Sequence, residues 1–422
     1  MHYSKKILNN GLRIITAPSK EAHSATFLIV ADTGSKFEKK EENGLSHFIE
    51  HVLFKGTKNR PSSFQITKEL DSIGCHYNAF TSHEYTGYYA KTAPEFFDTA
   101  IDVISDLYLN PLFNAEEIEK EKGVIIEEIR MYKDMPQRHV QDVFMNLVYG
   151  DTPVGRTIIG PEETIRSFNR EHFVKYFNEK YTPASTVITI TGNFDETKIL
   201  EKINSLFESI PHKEKAKKES VIERQDVPAL DIFNKDTDQT HIILGFRSYG
   251  IGSLENIKLR VLSGILSAGM SSRLFMKLRE EMGACYYVSA SNDLYTDHGI
   301  FQIVAGVDSK RLDEVIKVLL DECKKLKENL VSDEELERTK NNLIGSASLS
   351  LEGSDAQADF LAIQEVMKGK IESLEEIEVK IKSVTREQLQ EVARSIFIEK
   401  NINLAVEGKG YVKDELYPLL KI

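Results

Sequence analysis

Two kinds of hydrophobic pattern alternate along the chain. In the first, apolar residues run almost unbroken: SATFLIVADTGS (24–35) and THIILGFRSYG (240–250) predict buried strands. In the second, apolar residues return every three or four positions. EYTGYYAKT (84–92) predicts a strand that leads into a helix over PEFFDTAIDVISDLYL (94–109), where Phe97, Ala100, Ile101, Ile104 and Leu107 share one face. The same order recurs later. HGIFQIVAGV (298–307) predicts a strand, and Leu312, Val315, Ile316, Leu319 and Cys323 then line one face of a helix.

The clearest internal match sets NAEEIEKEKGVIIEE (114–128) against SDEELERTKNNLIGS (332–346). Both are long charged helices opened by an N-cap residue, Asn114 or Ser332. Two copies of one α+β unit account for this with the fewest assumptions. The expected fold is therefore α+β: two homologous α/β-sandwich halves, each a mostly antiparallel sheet packed by helices. The segment 213–228 is charged, poor in apolar residues and bracketed by prolines, which predicts a linker between an N-terminal half (1–212) and a C-terminal half (229–422). Its lysine-rich stretch KEKAKKES (213–220) reads as solvated.

Composition narrows the chemistry. At 422 residues the chain is too long for one ordinary domain, and its 41% hydrophobic and 28% charged residues are those of a globular protein. A net charge of −12 disfavours nucleic acid and anionic membranes as partners, and the sequence has no apolar run long enough for a membrane span. The N-terminus MHYSKKILNNGLRIITAP goes straight into strand-like alternation with no apolar leader, which predicts a cytoplasmic protein. Cys75, Cys285 and Cys323 are far apart and form no CxxC pair, so a metal here has to be held by histidine and carboxylate.

Such a set is present. GLSHFIEHVLFKGT (44–57) predicts a helix ending near Gly56. His47 and His51 lie four apart, so both rings leave one face and can bind one tetrahedral zinc. Glu50 is adjacent and suited to accept a proton from a metal-activated water. A third protein ligand is needed, and a carboxylate is the natural choice. The helix from about 115 to 132 offers Glu121, Glu127 and Glu128. Glu121 and Glu128 share a partly apolar face with Ile125 and Tyr132, whereas Glu127 lies with Lys120 and Met131 and reads as exposed. Glu128 is the candidate ligand, and Glu121 a carboxylate that orients a ligating histidine or the water. In the gapless match above, Glu128 falls opposite Ser346, so only the first copy carries the metal set.

HxxEH is the inverted form of the HExxH zinc motif. With EKEKGVIIEEIRMYKDMP (119–136), NAFTSHEYTGYY (78–89), GRTIIGPEETI (155–165), YTPASTVITITGN (181–193) and SAGMSSRLFMKLREEMGACYYV (267–288), it makes the chain resemble the M16 peptidase family over essentially its whole length. That family includes pitrilysin, insulin-degrading enzyme and the mitochondrial processing peptidase, and the length suits its bacterial two-domain members. The resemblance implies one zinc ion per chain held by His47, His51 and Glu128, with Glu50 as catalytic base. It selects Glu128 over Glu127, because the family's ligand follows a glutamate by seven residues. It also matches Arg279 and Tyr286 to a pair that reaches the substrate carbonyl. Read locally, those two are a helix-end arginine and a strand tyrosine in packing roles. Asn78, Ala79 and Phe80 match an edge strand to which the peptide substrate adds. Strand aromatics such as Phe80 are otherwise core residues, and His76, His83 and His139 read as structural or solvated.

The expected activity is that of a metallo-endopeptidase acting on peptides or unfolded segments, working as a homodimer. The alternatives are a subunit of a heterodimeric processing peptidase and a non-catalytic scaffold of the same fold; Glu50 is the residue that a scaffold would not need.

Overall fold

The computed structural model describes residues 1–422. The first sheet comprises β1 (Ser4–Ile7), β2 (Arg13–Pro18), β3 (Ala25–Ala31), β4 (His76–Thr81), β5 (Thr86–Thr92) and β6 (Thr186–Gly192), in the order β1-β2-β6-β3-β5-β4. The second comprises β7 (Ala229–Asn234), β8 (Thr240–Ser248), β9 (Cys285–Leu294), β10 (Gly299–Val307) and β11 (Asn403–Gly408), in the order β7-β11-β8-β10-β9. Without β1 the two orders correspond strand for strand. Each sheet is antiparallel except for one parallel pair, β2 with β6 and β7 with β11, and these pairs also correspond. The chain is thus a structural repeat, as its hydrophobic pattern predicts.

The apolar runs become central strands. β3 is buried at every position, because helices cover both faces of its sheet and leave no side for a polar alternation. The helix Phe97–Leu109 buries Phe97, Ala100, Ile101, Ile104 and Leu107 and packs on β3 and β5. Both predicted caps are present: the Asn114 side chain accepts from the Glu116 N–H (2.8 Å), and Ser332 from that of Glu335 (3.1 Å).

The edge pairs repeat in detail. In β4–β5, Phe80 faces Gly87, and a Cβ on Gly87 would stand 2.2 Å from the ring. In β9–β10, Tyr287 faces Gly306 at 2.3 Å by the same measure. Each aromatic lies flat over a glycine that has to stay bare.

The compact units are not the two continuous halves that the linker suggests. The first gathers residues 1–130, 156–219 and 350–372; the second gathers 131–155, 220–349 and 373–422. The helix Ser354–Lys368, from the second copy, covers β3 and β6 of the first sheet. Its Ala358, Leu361, Ala362 and Val366 are buried among Ile15, Leu28, Val30 and Val187, and its buried Glu365 takes Lys5 (2.7 Å) and Arg13 (3.3 Å). Reciprocally, the helix Pro136–Tyr149 of the first copy covers β7, β8 and β11, with the Phe144 ring over Gly245. Amphipathic periodicity says that a helix has a face to bury. It does not say which sheet receives that face, so the exchange is invisible in the pattern.

The linker also departs from expectation. Its lysines are not free in solvent: Lys215 pairs with Asp32 (2.6 Å) and Lys218 with the buried Glu84 (2.7 Å), while Lys213 donates to the Asn178 carbonyl. Beyond Glu219, Val221 N–H donates to Asp297 and Glu223 pairs with Arg247 within the second unit. Low hydrophobicity marked the segment as exposed; its charges find partners that are remote in sequence.

Candidate metal centre

The first unit contains the motif. Helix Leu45–Leu53 begins at Gly44, whose φ of 99° is a left-handed conformation that favours glycine. A Cβ there would also stand 2.6 Å from the Ile159 carbonyl oxygen. The buried Glu38 carboxylate caps the helix, accepting from the N–H groups of Gly44 (2.9 Å) and Ser46 (2.6 Å). This puts negative charge at the helix N-terminus, where the dipole favours it. Burial nevertheless pushes the Glu38 pKa up to about 7, against the lowering effect of those hydrogen bonds. The inner face of the helix, Leu45, Phe48, Ile49, Val52 and Leu53, is buried, with Phe48 edge-on to Phe173 at 4.8 Å. That fixed face sets the direction of His47, Glu50 and His51.

His47 and His51 stand one turn apart with ring centroids 4.7 Å from each other. Glu128 comes from the long helix Ala115–Asp134. Its Oε2 lies 3.8 Å from His47 Nε2 and 3.5 Å from His51 Nε2. Two ligands held at zinc distances on a tetrahedral ion lie roughly 3.3 Å apart, and the three donor atoms here all lie within 4.8 Å of one another. The donor set fits zinc. The expected face assignment holds too: Glu121 is buried, and Glu127 pairs on the surface with Arg130.

The surroundings prepare these donors. Burial lowers the His47 pKa to about 3, which keeps the ring neutral with a lone pair to offer. His51 Nδ1 lies 2.9 Å from Glu121 Oε1, which makes Nδ1 the donor and leaves Nε2 turned to Glu128. Burial opposes charge on His51, but the hydrogen bond to Glu121 and the nearby Glu128 and Glu50 carboxylates outweigh it and raise its pKa. The other Glu121 oxygen is held by Lys55 at 2.7 Å. Glu121 is itself buried, yet its bonds to His51 and Lys55 keep its pKa below the usual value. Glu50 accepts from the Thr81 hydroxyl at 2.6 Å, and burial raises its pKa.

Three of these residues escape the sequence reading. Lys55 lies four beyond His51, a helical spacing that carried the signal unnoticed. Thr81 follows directly on Asn78-Ala79-Phe80, and Glu38 has no local pattern to mark it.

The expected substrate residues lie on β4, an edge strand paired on one side with β5. Asn78 is exposed and its side-chain oxygen accepts from the Ala79 N–H at 2.9 Å. Phe80 turns its ring into the cluster with Leu28 and Tyr85, on the face opposite Thr81. Its side chain is therefore a core group, and only its backbone is available to a pairing peptide. Arg279 and Tyr286 belong to the second unit. Arg279 is exposed on the π-helix Phe275–Glu281, its guanidinium 5.0 Å from the centre of the Phe275 ring. Tyr286, near the start of the edge strand β9, is 63% exposed. Neither is the buried packing residue that its local sequence suggests.

Fold and donor set together define an α+β repeat protein with one HxxEH metal-type site, in its first copy. Residues 13–162 match the model for insulinase, peptidase family M16, and residues 167–343 match the M16 inactive-domain model. The uncharacterized zinc protease YmxG of Bacillus subtilis is 35% identical over 391 residues, 92% of this chain and 94% of that protein. An uncharacterized zinc protease of Rickettsia bellii is 35% identical over the same shares of the two chains. A protease from Helicobacter pylori has the same fold, with a TM-score of 0.89 at 22% identity over 96% of this chain and 99% of that one. The chain belongs to the M16 peptidase family.

Proposed function

We propose that the protein is a zinc-dependent metallo-endopeptidase that hydrolyses peptides or unfolded segments. The observation that carries this reading is the convergence of His47 Nε2, His51 Nε2 and Glu128 Oε2, with the half-buried Glu50 beside that trio and outside it. A zinc ion held by these three residues would supply Lewis acidity, bringing the pKa of a water molecule to about 7.

The remaining work falls to the protein's own groups. Glu50, raised in pKa by burial, accepts the proton of the attacking water and delivers it to the leaving amine. Glu121 fixes the tautomer and orientation of His51. The edge of β4 offers backbone donors and acceptors to an extended peptide, and such pairing is blind to sequence. Opening the Asn78–Ala79 bond frees one of those donors. Arg279 and Tyr286, both exposed in the second unit, offer a cationic and a phenolic donor of the kind that stabilises a developing oxyanion. The reading extends to a homodimer located in the cytoplasm; no helix is long and apolar enough to cross a membrane.

A non-catalytic scaffold would have no use for a half-buried base beside three convergent donors. A subunit of a heterodimeric peptidase remains the competing reading, since the family model matched by residues 167–343 is described as inactive. The test is metal removal. Chelation should abolish cleavage of an unstructured peptide by the purified chain, and one equivalent of zinc should restore it. A zinc-loaded chain that cuts only after a second, different subunit is added would establish the heterodimer instead.

A further inference from the structure

We propose that Thr81 is a positioning residue for Glu50, and that through it the edge strand β4 sets the catalytic base. This role rests on the reading of Glu50 as the base.

The geometry is direct. Thr81 is the last residue of β4, and its hydroxyl donates to Glu50 Oε2 at 2.6 Å. A carboxylate only accepts, so the direction of this bond is fixed, and it holds Oε2 while Oε1 carries no bond from Thr81. Thr81 is β-branched and stiff at χ1, so its hydroxyl has few places to go.

The backbone behind it is also held. Thr81 pairs with Thr86, whose hydroxyl donates to the Thr33 carbonyl at 2.9 Å. The turn that follows closes on itself: Ser82 N–H donates to Tyr85 O (2.8 Å), and Ser82 Oγ accepts from the N–H groups of Glu84 (3.2 Å) and Tyr85 (3.3 Å). The turn is then clamped from outside, by Ser35 N–H on Ser82 O (3.2 Å) and Lys36 N–H on His83 O (2.8 Å). Glu84, fully buried, is gripped by the buried Lys36 (3.1 Å) and by Lys218 (2.7 Å). A buried ion pair adds little net stability, but it fixes geometry when its partners are satisfied. Here it fixes the turn that carries Thr81.

The functional consequence follows from which strand this is. A peptide added to β4 is registered against Asn78–Thr81, and the base is registered against Thr81. Substrate strand and base are thus indexed to one rigid segment, an arrangement in which supporting hydrogen bonds hold the reacting group in place. Loss of the hydroxyl should therefore slow turnover and leave peptide binding alone.

The test compares Thr81→Val, which keeps shape and removes the donor, with Thr81→Ser, which keeps the donor. Thr81→Val should lower kcat by about 10- to 100-fold, with KM changed by less than about twofold and zinc content unchanged. Thr81→Ser should recover most of the rate. On a Glu50→Gln background the Val substitution should cost nothing more, because the group it acts through is already gone. If Thr81→Val fails to fold or to bind zinc, Thr81→Ala carries the same comparison. Wild-type kcat in the folded donor-less variant, or a further loss on the Glu50→Gln background, would overturn the proposal. A wild-type chain that binds zinc and cuts no peptide would instead sink the reading of Glu50 on which it rests.

Discussion

His51 presents Nδ1 to Glu121 at 2.9 Å and Nε2 to Glu128 at 3.5 Å, so one imidazole is gripped from both sides by carboxylates of a single helix. Glu121 and Glu128 sit two turns apart, which spans the ring. Lys55 anchors the outer end of the relay.

Outer partners of ligating histidines set affinity by orienting the ring and raising its basicity. Glu121→Gln should weaken zinc binding about 10- to 100-fold. Lys55→Met should weaken it less, since it removes a support of the support. Competition with a chromophoric chelator measures both, and equal affinities in wild type and Glu121→Gln would show that the relay is ornamental.

Glu38 predicts a pH dependence of the metal-free fold. Its pKa rises from 4.5 to about 7 on folding, so the folded chain takes up a proton between those values. The contribution of Glu38 to stability is fully present below about 4.5 and is lost as pH rises through about 7. The shift corresponds to an effect on the order of 3 kcal/mol. Urea unfolding of the chelated protein at pH 5 and pH 7.5 should show a larger difference in wild type than in Glu38→Gln, which cannot titrate. The same difference in both would assign the pH dependence elsewhere.

The exchanged helix Pro136–Tyr149 is tied down by His139, whose Nδ1 lies 2.9 Å from Oε2 of the fully buried Glu407. His139→Ala removes the partner of a buried carboxylate and should destabilise the second unit by about 3 kcal/mol. Zinc affinity should be unchanged, because the metal donors all belong to the first unit. Thermal unfolding with and without zinc separates the two effects. An undiminished Tm would mean that Glu407 is satisfied without the histidine.

How much of this was legible depends on the range of the interaction. The repeat shows in the sequence because sheet and helix periodicities are local. His47 with His51, and Glu121 with Glu128, show because donors sharing one helix face have fixed spacings. The hydroxyl on Glu50 comes from Thr81, thirty-one residues away, across a fold that has to form first. The same holds for Lys218 on Glu84, read as solvated although it clamps a turn, and for the reciprocal helix exchange. Phe80 shows the limit from the other side: its place on the edge strand was expected, but the ring fills the space over Gly87, a pairing that only the register reveals.

The most direct test of the account compares wild type with Glu50→Gln, measuring bound zinc and cleavage of a panel of unstructured peptides in both. The site geometry predicts about one zinc per chain in each protein. Cleavage should fall by at least ~100-fold in the variant, which keeps the ligands and loses the base. Equal cleavage by both proteins, or a wild-type chain that binds no zinc, would contradict the assignment of His47, His51, Glu128 and Glu50.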